Sequence, residues 1–253
     1  MLFGIVTVRR DFPNLGPVFT LLTVWGSKQL SEKELRTRCS FLLATAGIVR
    51  YGDLVKITRE DVAFQGSVEG ECAVIRIVAP KEFRLRNPET YFRVVYLPKL
   101  AGPWCPVAAL KAYLAVTVDV VNDAPLFVSV LAPPKVGRVQ KARSVVEAIT
   151  LCKAVENLLL RPAGLDKNLT PHSFKSFVVS KAFAAGVNLV DIMAHAHAFS
   201  VSVLREHYIR SVEPAATLVF PDLRDVKSTT AVGDNIRIAR SFITAVFTEG
   251  NGR

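Results

Sequence analysis

Most of the usual signatures of chemistry are missing from this chain. Its four cysteines (Cys39, Cys72, Cys105, Cys152) lie far apart with no CxxC pair. They read as reduced, buried thiols of an intracellular protein and exclude a disulfide scaffold. No run of about 18 uninterrupted apolar residues occurs, so no transmembrane helix is expected. The opening MLFGIVTVRRDF is apolar first and basic afterwards, the reverse of a secretory signal, so none is expected. G-x-x-x-x-G-K-[ST], G-x-G-x-x-G and G-x-S-x-G are all absent. Nucleotide hydrolysis, dinucleotide redox chemistry and serine hydrolysis therefore lack their usual residues. There is no internal repeat and no low-complexity tract. Acidic residues are scarce, with 22 Asp and Glu against 32 Lys and Arg.

The chain of 253 residues can bury a real core, and 50% hydrophobic content with 21% charge excludes bulk disorder. The net charge of +10 suggests a polyanionic partner, nucleic acid before membrane. It is concentrated. Nine cations between Lys135 and Lys181 (Lys135, Arg138, Lys141, Arg143, Lys153, Arg161, Lys167, Lys175, Lys181) face Glu147, Glu156 and Asp166, leaving +6 there. A solvated face is one reading and a phosphate-binding surface the other.

Residues 1–30 read as a mixed apolar arm, with Pro13, Gly16, Pro17 and Gly26 as breakers. Ser31-Glu32-Lys33-Glu34 is a capping box that opens a helix to about Ala46, closed by Gly47. A short helix over Tyr51 to Val55 follows. Cys72 to Val78 and Tyr91 to Leu97 are β-branched and aromatic, and predict two strands joined by a hairpin loop over Lys81 to Thr90. Pro103 and Pro106 lead into a helix over Val107 to Val116, and Leu126 to Val130 suggests a third strand. Val145, Ile149, Cys152, Val155 and Leu159 place one apolar face on a helix over Ser144 to Leu160. Thr170-Pro171 starts a helix that ends near Gly186, and Asn188 caps the next. Phe199 to Arg210 predicts a further helix, Pro214 to Gly233 is irregular, and Asn235 to Phe247 closes the chain as an apolar-striped helix.

All four histidines (His172, His195, His197, His207) lie in the last third. On a helix, His195 and His197 would point about 200° apart, and no cysteine is near, so no metal site is expected. What stands out is Arg50 in ATAGIVRYGDLVKI, Lys81 at the hairpin, His172-Ser-Phe-Lys175, then His197 and Tyr208. Two cations, two imidazoles, a lysine and a phenol suit phosphoryl transfer without a metal. The cations neutralise non-bridging oxygens, the tyrosine attacks, and a lysine protonates the leaving oxygen.

These segments resemble the catalytic domain of the tyrosine recombinases. Thr45 to Ile57 is similar to the family's TG-L-R-x-x-E-L-x-x-L box, with Arg50 at the arginine and Asp53 at the acidic position. TPHSFKSFVVSKAFAAGVNLVDIMAHA is similar to the box that holds H-x-L-R and ends in G-H, and HAFSVSVLREHYIR to the nucleophile segment. The step of 11 residues from His197 to Tyr208 is longer than the common bacterial spacing and closer to DIRS-like and Crypton-like mobile elements. YLPKLAGPWCPVAALKAYL is also similar to that branch. His195 competes with His197, which the spacing prefers; Glu82 and Arg84 are neighbours of Lys81 in the same loop. Lys175 stands where the family has its second arginine, Ala196 where it has glycine, and Ala198 where the eukaryotic branch has Trp.

The resemblance implies a mainly α fold with a small antiparallel β-sheet. It implies DNA cleavage and rejoining through a 3′-phosphotyrosyl intermediate, in recombination or integration of a mobile element. Tyr208 is then the nucleophile, Arg50 and Lys175 hold the phosphate, Lys81 is the general acid, and His172 and His197 assist. No cofactor and no metal are required. Lysine keeps the charge of arginine but not its fork, so the activity is expected to be weakened. A DNA-binding derivative of the same fold and a type IB topoisomerase-like nicking enzyme are the alternatives. The partners implied are double-stranded DNA and further copies of the chain in a tetrameric synapse, with no membrane, in the nucleus. The expected organisation is an arm (1–30), a catalytic domain (31–212), and a linker with a C-terminal helix (213–253) that either exchanges between protomers or folds back onto its own domain. The family's N-terminal DNA-clamping domain is expected to be truncated or supplied elsewhere.

Overall fold

The computed structural model describes residues 15–67, 70–78, 92–131, 143–165, 173–196 and 232–247. The protein is mostly helical with one small antiparallel sheet. Helix α1 (Gly16–Ser27) comes from the segment whose Gly16 and Pro17 read as breakers. Proline falls in its first turn, where the missing N–H costs nothing. Val18, Phe19, Leu22 and Trp25 are buried.

Helix α2 (Glu32–Ala46) starts as its capping box dictates. The Glu34 amide donates to the Ser31 hydroxyl at 3.3 Å, and the Ser31 amide donates to the Glu34 carboxylate at 2.9 Å. Gly47 is its C-cap, and the short helix α3 (Tyr51–Leu54) follows. A 3-10 turn (Arg59–Asp61) then leads into the sheet.

The sheet has the order β1-β2-β3. Strand β1 (Val62–Ser67) pairs antiparallel with β2 (Gly70–Val78), with Val62 opposite Ile75. Strand β2 pairs antiparallel with β3 (Phe92–Pro98), from Cys72 opposite Pro98 to Val78 opposite Phe92. Ala73, Ile75 and Ile77 face the core from β2; Arg93, Val95 and Leu97 face it from β3. The predicted third strand over Leu126 to Val130 is corrected. Val128 forms an isolated bridge with Val145, Pro125 just before the segment bridges Thr58, and the third strand is β1.

Helix α4 (Pro106–Ala115) is capped by Cys105, whose sulfur accepts from the Ala108 amide at 3.4 Å. Helix α5 (Ala148–Val155) is shorter than predicted and runs into a π-helical turn (Glu156–Leu160). In that turn the Arg161 amide donates to the Glu156 carbonyl at 2.9 Å. The extra residue rotates the apolar face, so Leu159 and Leu160 are both buried. Val145 and Ile149, assigned to the buried stripe, are instead 62% and 55% exposed. Val145 lies before the helix, in the bridge to Val128.

Helix α6 (Ser173–Ala184) ends at Gly186, whose φ of +82° favours glycine. The Asn188 side chain accepts from the Val190 amide at 2.9 Å and caps α7 (Leu189–Ala196). Helix α8 (Val232–Phe247) packs on β3, α6 and α7 of its own chain. Phe19 and Phe247 meet at 5.3 Å between ring centroids, so α1 and α8 join one continuous core with the elements between them. The predicted helix over Phe199 to Arg210 lies outside the described residues. Among the described residues no helix is long and apolar enough to cross a membrane. Cys39, Cys72 and Cys105 are buried and free, and burial pushes the half-buried Cys152 thiol up to about 11.

Candidate active site

The C-terminal end of α2 organises the candidate site. After Gly47 the chain enters Ile48 at a φ of +49°, the left-handed region, which costs a β-branched residue roughly 1–3 kcal/mol. The strain is held because Ile48 is fully buried and its carbonyl is hydrogen-bonded. A Cβ on Gly47 would stand 2.9 Å from Val95 Cγ1, so this turn touches β3 too closely for any side chain there. Two residues on, half-buried Arg50 is the N-cap of α3, and its carbonyl accepts from the Asp53 amide at 2.9 Å. Asp53 is buried, with Lys56 Nζ 3.7 Å from its carboxylate.

Lys175 is the other predicted site residue that is described. It sits half-buried in the first turn of α6. Its neighbour Phe174 packs edge-on against Phe41 of α2, with ring centroids 5.3 Å apart. Phe41 precedes the end of α2 by five residues, roughly 7–8 Å of helix, so the first turn of α6 packs on the C-terminal half of α2. His172, one residue before α6, lies outside the described residues, as do Lys81, His197 and Tyr208.

The segments that lead to Lys81 and His197 also point to this corner. The described ladder of β2 and β3 ends with the Ile77–Arg93 and Val78–Phe92 pairs. From that end of the sheet the Arg93 guanidinium donates to the carbonyls of Gly47, Ile48 (3.4 Å) and His195 (3.2 Å). Helix α7 ends at Ala196, one residue before His197, with its last turn bound there as well. His195 Nε2 lies 2.6 Å from the Ala46 carbonyl, and its ring lies 4.7 Å from Phe242 of α8. Burial drives the His195 pKa down to about 4; the Ala46 bond works against this and the nearby Arg93 charge adds to it. The ring is therefore neutral at physiological pH and Nε2–H is the donor to Ala46. A buried, neutral imidazole tied to a carbonyl is a core group, and His197 lies outside the described residues.

The basic stretch divides. The Arg143 guanidinium is bound by Asp119 at 2.8 Å and by Glu32, and it also donates to the Ser129 carbonyl at 3.1 Å. Lys181 Nζ sits 5.5 Å over the Phe19 ring. Lys153 and Arg161 are exposed to solvent. Lys135, Arg138, Lys141 and Lys167 lie outside the described residues. Among the described residues no three His, Cys, Asp or Glu side chains group as metal ligands.

No family model and no curated protein matches the chain. The backbone is similar to solved recombinases. One is an FLP recombinase in a Holliday-junction complex, with a TM-score of 0.47 and 11% identity over 79% of this chain and 47% of that one. A Flpe–Holliday junction complex gives 0.45 and 11% over 74% and 44%, and the integrase from mycobacterium phage Brujita gives 0.40 and 13% over 93% and 64%. The chain spans about half the length of the FLP recombinase chain it matches.

Arg93 went unassigned in the sequence, although it carried a signal. In Phe92-Arg93-Val94-Val95-Tyr96-Leu97 the arginine alternates in phase with buried Val95 and Leu97. A cation on the core side of a strand must find internal acceptors, and here they are the carbonyls of the turn after α2 and of the last turn of α7.

Proposed function

We propose that this chain cleaves and rejoins DNA strands through a tyrosine nucleophile. One observation supports the reading: the turn before Arg50, the last turn of α7 and the Arg93 end of the sheet are tied together at the end of α2, and the first turn of α6, which carries Lys175, packs on the C-terminal half of α2. These are the segments that hold the recombinase-like boxes. Tyr208 would attack the scissile phosphorus, forming a 3′-phosphotyrosyl bond and releasing a 5′-oxygen that Lys81 protonates. Arg50 and Lys175 would balance the charge on the non-bridging oxygens. His172 would take the phenol proton or bind an oxygen, and His197 would donate a hydrogen bond to the phosphate. The covalent link retains the phosphodiester energy, so rejoining is the reverse attack by a 5′-hydroxyl. Resealing in the synapse of a mobile element, with four copies on two duplexes, extends the same proposal.

Lys175 favours a second reading, a DNA-binding derivative with weak or no cleavage, because an ammonium cannot grip two phosphate oxygens as a guanidinium does. A nicked suicide duplex separates the two. A covalent DNA adduct that forms with the parent chain and not with Tyr208→Phe supports cleavage, and binding without adduct supports the derivative.

A further inference from the structure

We infer that Arg93, together with His195, is a positioning residue that sets the Arg50 turn and the exit of α7 for strand cleavage; this rests on the cleavage reading above. Arg93 lies on the core face of β3, 5% exposed, one pair from the last described pair of the β2–β3 ladder. Its guanidinium spans two separate segments, donating to the Gly47 and Ile48 carbonyls of one and to the His195 carbonyl of the other. His195 closes the loop by donating from Nε2 to the Ala46 carbonyl. Four consecutive features of one corner are thus fixed: the last carbonyl of α2, the Gly47 cap, the left-handed Ile48 and the last turn of α7. The fork geometry matters because carbonyls from different segments must be met at once by a rigid, planar donor.

The consequence is a link between three of the four segments that carry the site. Arg50 follows Ile48 by two residues, and His197 follows His195 by two. Neither Arg93 nor His195 needs to reach the phosphate. A small displacement of either segment would misplace charge around the scissile group, and misplacement of about 1 Å can cost ~100-fold in rate.

The test uses the full chain, with DNA binding, single-turnover cleavage of a suicide duplex, and amide exchange measured side by side. Arg93→Lys keeps the charge and loses the fork. The expected result is DNA affinity within about twofold of the parent, cleavage slower by about tenfold or more, and exchange over residues 47–54 faster by about tenfold, while α4 is unchanged. His195→Leu should act in the same direction. His195→Gln, which keeps a donor for the Ala46 carbonyl, should restore cleavage to within about threefold of the parent. This pair decides the matter if Arg93→Lys loses its global fold. Unchanged exchange over 47–54 together with unchanged cleavage in Arg93→Lys overturns the inference. Equal loss of cleavage in His195→Gln and His195→Leu also overturns it, because the imidazole would then act chemically. A parent chain that forms no adduct while exchange over 47–54 still responds to Arg93→Lys rejects the cleavage reading and leaves the clasp.

Discussion

Replacing His195 by glutamine should flatten the pH dependence of stability. The folded chain holds this imidazole neutral, with a pKa near 4, chiefly through burial, against an ordinary 6.5. Unfolded chains therefore bind a proton that the native state refuses between these values. The unfolded state binds more protons in that window, so stability rises with pH across it. The contribution is complete above about pH 6.5 and is lost as pH falls towards 4. The full difference of about 2.5 pH units corresponds to roughly 3 kcal/mol, and at pH 5 roughly 2 kcal/mol would already be gone. Urea unfolding of the parent and of His195→Gln at pH 8 and pH 5 isolates the effect, since the carboxylates are common to both. The parent should lose about 2 kcal/mol more than the variant over that interval. Equal losses would refute the reasoning, as would a His195 ring that titrates near 6.5 by NMR in the folded protein.

Other consequences follow from the same contacts. Ser31→Ala removes the acceptor of the Glu34 amide and should cost about 1 kcal/mol in urea unfolding; no change would mean that the box is not formed in solution. Lys175→Arg should raise single-turnover cleavage by about tenfold, because a two-pronged donor gains ~1–2 kcal/mol at a phosphate; a comparable fall would mean that the pocket is shaped for lysine. Lys153→Gln and Arg161→Gln should each reduce the slope of log affinity against log salt by about 0.9 if they meet DNA phosphates. Arg143→Gln should leave that slope unchanged, because Glu32 and Asp119 already hold its guanidinium. The reverse pattern would move the DNA surface elsewhere.

Local signals were legible where short-range chemistry decides the structure. Ser31 and Glu34 mark the start of α2, Pro106 starts α4, Asn188 caps α7, and the two β-branched runs become β2 and β3. Signals failed where the outcome depends on register or on distant packing. Gly16-Pro17 reads as a break, yet proline in a first turn is compatible with a helix whose apolar face meets α6 and α8. Ile149 lies in the first turn of α5, off the face that buries Leu151, Ala154 and Val155, and no periodicity count anticipates the residue inserted in the π turn at Glu156–Leu160. For the candidate site, Arg50 and Lys175 were nominated by motif, and their shared relation to α2 came from the fold. Arg93 was hidden because its acceptors are 45 and 102 residues away.

The central claim is covalent chemistry at Tyr208. The direct measurement is mass spectrometry of the adduct formed with a nicked suicide duplex in the presence of chelator. The account predicts one DNA strand joined through its 3′-phosphate to the peptide containing Tyr208, and no adduct from Tyr208→Phe at unchanged DNA affinity. An adduct on another residue, an adduct that survives Tyr208→Phe, or bound DNA that is never cleaved would contradict it.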